Sequence, residues 1–224
     1  MDWQAIWLTA RLAAIVSIIL LAISLPVAHW LTFSRRRWTF LIESIVSLPL
    51  VLPPTVLGFY LLMAMGSRSP LGRWWTEWTG HSLAFTFEGL VIASVFYSLP
   101  FAVQPVAAAF AQVEPSLREA SATLGASGLR TFARVTLPLS LEGVIAGFVL
   151  SFAHTVGEFG VVLMVGGNLP GITRTVSISI YDRVQALEYQ QANMTALALL
   201  AFSLIVLVTV YGLRRRPWAV APAA

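Results

Sequence analysis

Residues 112–138 read QVEPSLREASATLGASGLRTFARVTLP, a polar island between two long apolar runs, and its spacing predicts a structured unit in place of a slack linker. Glu114-Pro115 predicts a helix start, because proline is tolerated in the first turn, where its missing amide has no helical partner anyway. Leu117, Ala120 and Leu124 recur at spacings of three and four and make one small apolar face, which Gly125 ends. Ser127 opens a second start, with Leu129, Phe132 and Ala133 on one side and Arg130 and Arg134 on the other. The pair makes a compact knob, with Gly125 as hinge and Pro138 where the next apolar run begins. Such a knob either plugs into a partner's groove or lays its apolar face on the chain's own spans; periodicity alone leaves both open.

Outward from the knob the chain is apolar. Of its 224 residues 58% are hydrophobic and only 11% charged, where a soluble domain carries roughly a quarter charged. A bilayer core takes about 20 residues of helix, and five stretches qualify: Trp7 to Phe33, Leu41 to Met65, Leu83 to Ala111, Leu139 to Val165 and Met194 to Leu213. Met1-Asp2-Trp3-Gln4 puts no basic residue before the first of these, which therefore reads as a retained span and not a cleaved signal peptide. The expected fold class is all-α integral membrane, as one transmembrane domain over residues 1–224.

All 14 basic residues are arginine. Without lysine there is no P-loop lysine, so the chain is not itself a P-loop ATPase, and no Schiff base. Without cysteine there is no thiolate nucleophile, disulfide or Cys-based zinc site. The basic balance does not point to nucleic acid, because the arginines sit at the ends of apolar runs and not on a soluble basic face. Arg35-Arg36-Arg37, then Arg118, Arg130 and Arg134, then Arg214-Arg215-Arg216 fall in alternate connections, which predicts that these face the cytoplasm, the N-terminus lies outside and the C-terminus inside. Trp3, Trp7, Trp30, Trp38, Trp74, Trp75, Trp78 and Trp218 all fall at or just beyond span ends, and Arg73 to Gly80 predicts a short interfacial helix.

Glu119-Ala120-Ser121, Gly125 and Val135-Thr136-Leu137-Pro138 resemble the EAA loop of ABC importer permeases: EAA, three residues, G, nine residues, I, one residue, LP. Ser121 replaces the last alanine and Val135 the isoleucine, both conservative in size. The resemblance implies a type I importer permease fold, with five transmembrane helices and cytoplasmic coupling helices that dock on a separate ATPase. Glu119, Ala120, Ser121, Gly125, Leu129, Val135, Leu137 and Pro138 would form that coupling surface. ATP and magnesium then belong to the partner, and this chain binds no cofactor or metal of its own. Pro49 to Tyr60, Gly157-Glu158-Phe159-Gly160 and Gly167-Asn168-Leu169-Pro170-Gly171 are similar to permease subunits of molybdate importers, with tungstate and sulfate permeases as near relatives. That resemblance spans about residues 6–213 and implies a bacterial inner-membrane protein served by an external oxyanion-binding protein. Five spans rarely enclose a channel alone, so a two-fold homodimer is expected.

Ionisable residues inside spans need a reason, since each costs about 2.5–3.5 kcal/mol on insertion scales. His154 and Glu158 lie about 18 and 24 Å along a helix from Glu142, and their spacing of four allows an ion pair on one face. They are either a structural pair or part of a gate, with Gly157 and Gly160 loosening the helix around them; a bare carboxylate repels an oxyanion, which makes Glu158 a gate or partner and not a ligand. Pro49, Pro53 and Pro54 predict a kink in the second span, with Thr55 offering a neutral hydroxyl. The path or gate is thus assigned to Pro53, Pro54, Thr55, His154, Thr155, Gly157, Glu158, Phe159 and Gly160. Gly143 and Gly147 form a GxxxG read as helix packing. The loop Gly166 to Gln190 is long enough to receive the external protein through Asn168, Pro170, Gly171 and Arg174; the alternative is a surface or re-entrant helix with no partner. A rival reading makes His154 and Glu158 the base and acid of an intramembrane enzyme, but no orienting third group or nucleophile accompanies them. A plain membrane scaffold would leave the knob unexplained.

Overall fold

The computed structural model describes residues 2–34 and 36–214; Met1, Arg35, Arg215, Arg216 and Trp218 of the expectations above lie outside them. Among the described residues every regular element is helical. Helix α1 (Trp3–Phe33) is capped by Asp2, whose carboxylate accepts the Ala5 amide at 3.0 Å. Its 31 residues extend for about 46 Å, longer than a hydrocarbon core of about 30 Å.

The second expected span is not one helix. It runs as α2 (Thr39–Ser47), a 3-10 turn at Leu48–Leu50, and α3 (Pro54–Met65), bent by 108° at the break. Pro49, Pro53 and Pro54 remove amide donors, and Pro53 takes an extended backbone with ψ 135°, so the predicted kink becomes a full break. Next, α4 (Pro70–Thr79) is the short Trp-rich helix expected there, capped by Ser69 and ended by Gly80. Then α5 (Phe87–Ala111) crosses unbroken despite Pro100 and Pro105.

The knob follows as α6 (Pro115–Thr123), α7 (Gly128–Thr131), a π-helix at Phe132–Thr136 and α8 (Leu137–Leu139). Helix α9 (Leu141–Gly157) leaves it at a 72° bend. The expected continuous span Leu139 to Val165 is corrected here: the helix stops at Gly157, Glu158 and Phe159 leave helical geometry, and α10 (Gly160–Gly166) restarts it. Helix α11 (Val176–Gln185) fills much of the loop before α12 (Tyr189–Arg214).

Three helices of the described residues (α1, α5 and α12) are each long and apolar enough to cross a bilayer alone; the count reaches five when each of the two bent pairs, residues 39–65 and residues 128–157, is taken as one span. Helices α1, α5 and α9 make the centre. Leu12, Val16 and Leu20 pack with Leu90 and Ala102 in one cluster, and Ala28, Val103, Val106, Phe110 and Val144 form another. The GxxxG is packing, as expected: Gly143 rests on Pro105 and Ala109, and a Cβ at Gly147 would stand 2.7 Å from the Ala102 carbonyl oxygen. Helix α12 stays at the periphery, with Leu200, Leu204 and Ile205 exposed, as a lipid-facing helix requires.

Candidate functional site

The breaks in the second and fourth spans are one structural unit. Gly160, the first residue of α10, lies against Pro54, the first of α3; a Cβ there would stand 2.6 Å from the Pro54 Cβ. One turn farther, a Cβ at Gly58 would meet the Met164 Cβ at 2.8 Å and the Val161 Cα at 3.2 Å. The absence of side chains at two positions therefore lets two half-helices lie together inside the membrane region, with Thr55 and Gly157 exposed beside the junction.

His154 and Glu158 are not a pair. The helix ends between them, and no ion pair joins them among the described residues. His154 Nδ1 stands 2.9 Å from the Ser98 hydroxyl, and its ring stacks on Phe101 with centroids 3.8 Å apart. Ser98 also stands 3.0 Å from Thr155 Oγ1, which donates to the Ser151 carbonyl at 2.8 Å. Glu158 is 4% exposed, and neither carboxylate oxygen has a hydrogen-bond partner of normal geometry, although the Ser94 hydroxyl and the Val162 amide lie beside it. The acid-base pairing that an intramembrane enzyme needs is thus absent, while a buried carboxylate sits at a helix break beside Phe159.

In the knob, Pro115 occupies the first turn of α6, Gly125 turns the chain with φ +78°, and Ser127 accepts the Arg130 amide. The Ser121 and Thr131 hydroxyls, 2.9 Å apart, brace α6 against α7. Arg118 stacks over Phe33, 3.9 Å from its centroid, and Phe132 sits edge-on to His29 and Phe110, so an aromatic cluster ties the knob to α1 and α5. The grouping of Phe132 with Leu129 is corrected: Phe132 turns inward where the π-helix begins, whereas Leu129 is 79% exposed. Leu124 is 88% exposed and Leu117 is exposed too, so the apolar face does not lie on the chain's own spans. Glu119, Ala120 and Pro138 are exposed as well, Val135 and Leu137 half-buried.

The loop after α10 is held by a closed polar triangle. Arg174 Nε donates to Asn168 Oδ1 at 2.6 Å, Asn168 Nδ2 donates to Asp182 Oδ1 at 2.8 Å, and Arg174 Nη2 lies 3.2 Å from Asp182 Oδ2. Asn168 and Arg174 therefore build the loop, and its exposed tip is Leu169, Pro170, Gly171 and Ile172.

Residues 18–217 match the family described as binding-protein-dependent transport system inner membrane component. The chain belongs to that family. Among the permease's relatives, a molybdenum transport system permease protein, ModB of Azotobacter vinelandii, is 50% identical over 215 residues, covering 96% of this chain and 95% of that one. The protein of the same name from Escherichia coli K12 is 39% identical over 82% of this chain and 80% of its own. The sulfate transport system permease protein CysT of that organism is 32% identical over 86% and 69%. In fold, the permease is similar to a bacterial ABC transporter involved in alginate import, with a TM-score of 0.75 at 16% identity over 95% of this chain and 78% of that one. An amino acid ABC transporter gives a TM-score of 0.65 at 15% identity over 96% and 94%. The fold is that of an ABC importer permease.

One group of the permease escapes sequence reading. Ser94, Tyr97, Ser98 and Phe101 form a stripe on α5 at spacings of three, four and seven, and all four face His154 or Glu158. Hydroxyls recurring at helical spacing in an apolar span were the available signal.

Proposed function

We propose that this permease is the membrane-spanning subunit of an ATP-driven importer that moves molybdate into the cytoplasm. The observation that carries the substrate is identity of 50% over 96% of the chain with a molybdenum permease, against 32% over 86% with a sulfate permease. The chain works as one transmembrane domain, with its core at about residues 6–213, and binds no cofactor of its own; ATP and magnesium sit on a separate ATPase. The arginine pattern supports an N-terminus outside and a C-terminus in the cytoplasm.

Two copies pair about a two-fold axis and enclose the path between them. Glu119, Ala120, Ser121, Gly125, Leu129, Val135, Leu137 and Pro138 form or position the surface that seats in the ATPase, with exposed Leu124 and Leu129 as its apolar anchors. The tip at Pro170 and Gly171, stiffened by Asn168 and Arg174, receives the periplasmic oxyanion-binding protein. Closure of the ATPase dimer moves the knob, and α9 transmits that movement to the junction of Pro53, Pro54 and Thr55 with Gly157, Phe159 and Gly160. Neutral donors there, such as the Thr55 hydroxyl, suit a tetrahedral dianion that binds briefly and leaves. Glu158, held off the surface, acts as the gate, with His154 and Thr155 fixing α9 to α5.

Uptake of radiolabelled molybdate by proteoliposomes holding permease, ATPase and binding protein tests this reading. ATP-dependent uptake that excess sulfate leaves intact is expected; preferential transport of sulfate or tungstate would replace the assigned substrate.

A further inference from the structure

Arg11 is a cation on the exposed stripe of α1, and none of the ion pairs among the described residues uses it. Its guanidinium lies over the Phe87 ring, 4.6 Å from the centroid. That contact fixes the side chain by one face and leaves its N–H edges free to donate. Arg11, Gln4, Trp7 and Phe87 wall a cavity of about 300 Å³, closed on one side by Gly171 and Ile172 of the loop tip. Trp3 and Trp7 are 71% and 73% exposed, which marks headgroup level, and Arg11 follows Trp7 by one turn, about 6 Å deeper. Helical side chains lean toward the N-terminus, so Arg11 reaches back up to the phosphate plane. Below it, Ile18 and Ala22 continue the same stripe and are exposed, an apolar track directly under a cation.

We propose that Arg11, with Trp7 and Gln4, holds the phosphate of an anionic phospholipid whose acyl chain lies along Ile18. A guanidinium matches phosphate oxygens with paired charge-assisted hydrogen bonds, and the indole of Trp7 covers the glycerol region. A free tetrahedral anion offers the same oxygens but lacks the tail that Ile18 would bury.

The test is native mass spectrometry of the full-length chain extracted from mixed phosphatidylglycerol and phosphatidylcholine vesicles. The unmodified chain is expected to retain phosphatidylglycerol in preference to phosphatidylcholine, and Arg11→Gln to lower that retention about tenfold, the loss of one charged hydrogen-bonded contact. Millimolar inorganic phosphate is expected not to displace the lipid. Equal retention of both lipids by the unmodified chain overturns the site without reference to any variant. So does undiminished retention by Arg11→Gln. Displacement by inorganic phosphate reassigns the site to a free anion, and a crosslink from Arg11→Cys to a second copy or to the binding protein, in place of lipid, reassigns it to a protein contact.

Discussion

Gly160 carries only hydrogen where any other residue would place a carbon 2.6 Å from the Pro54 Cβ. Overpacking of this kind costs about 1–3 kcal/mol, and here it acts on the contact between the two half-helices to which the path is proposed to belong. Gly160→Val is therefore expected to lower the initial rate of ATP-driven molybdate uptake at least tenfold, by the conversion of about 1.4 kcal/mol per decade, with a smaller fall in membrane level by immunoblot. An unchanged rate would mean that the junction does not move during transport. Glu158 poses a different question, because a buried carboxylate without a normal hydrogen bond or an ion pair destabilises the fold. Glu158→Gln keeps the shape and removes the ionisable group, so it should melt at or above the unmodified protein in detergent while losing uptake. Transport at the normal rate in that variant would reduce Glu158 to a capping group for α10.

In the proposed mechanism helices α6 and α7 carry the coupling surface, with Leu124 next to α6 and Leu129 in α7 as its testable part. Replacing Leu124 and Leu129 together by glutamate touches no buried group, since both are among the most exposed apolar residues of the chain. Surface changes of this kind typically alter stability by less than about 0.5 kcal/mol each. The double variant should insert normally yet fail to co-purify with the ATPase; undiminished co-purification would place the docking surface elsewhere. Gly125→Pro goes further, because φ +78° is closed to proline, and it should abolish coupled uptake while the protein remains in the membrane. The knob was readable from Pro115, Gly125 and Ser127, which act through local backbone chemistry. The π-helix was not: it widens the helix by one residue and turns Phe132 toward His29 and Phe110, a tertiary contact that no local propensity encodes. The breaks in the second and fourth spans were legible as prolines and glycines, but their joining into one unit was not, because it depends on α3 and α10 meeting across a hundred residues of chain. For the same reason the pairing of His154 with Glu158 misled: spacing of four implies a shared face only while the helix continues.

The whole permease has no native cysteine, so any introduced thiol is unique in the chain. With an impermeant maleimide on intact cells, Trp78→Cys on α4 should label from outside and Leu129→Cys should label only after the membrane is opened. The opposite pattern would invert the topology drawn from the arginines. The account as a whole rests on an exposed knob seated in a separate motor, and Leu129→Cys reports on that directly in the assembled importer. A short thiol crosslinker applied to the assembled importer, purified or in inside-out vesicles, should join Leu129→Cys to the ATPase subunit, with a yield that changes between nucleotide-free and ATP-bound states. Failure to crosslink to the ATPase in every nucleotide state, with the complex shown to be intact, would contradict the account.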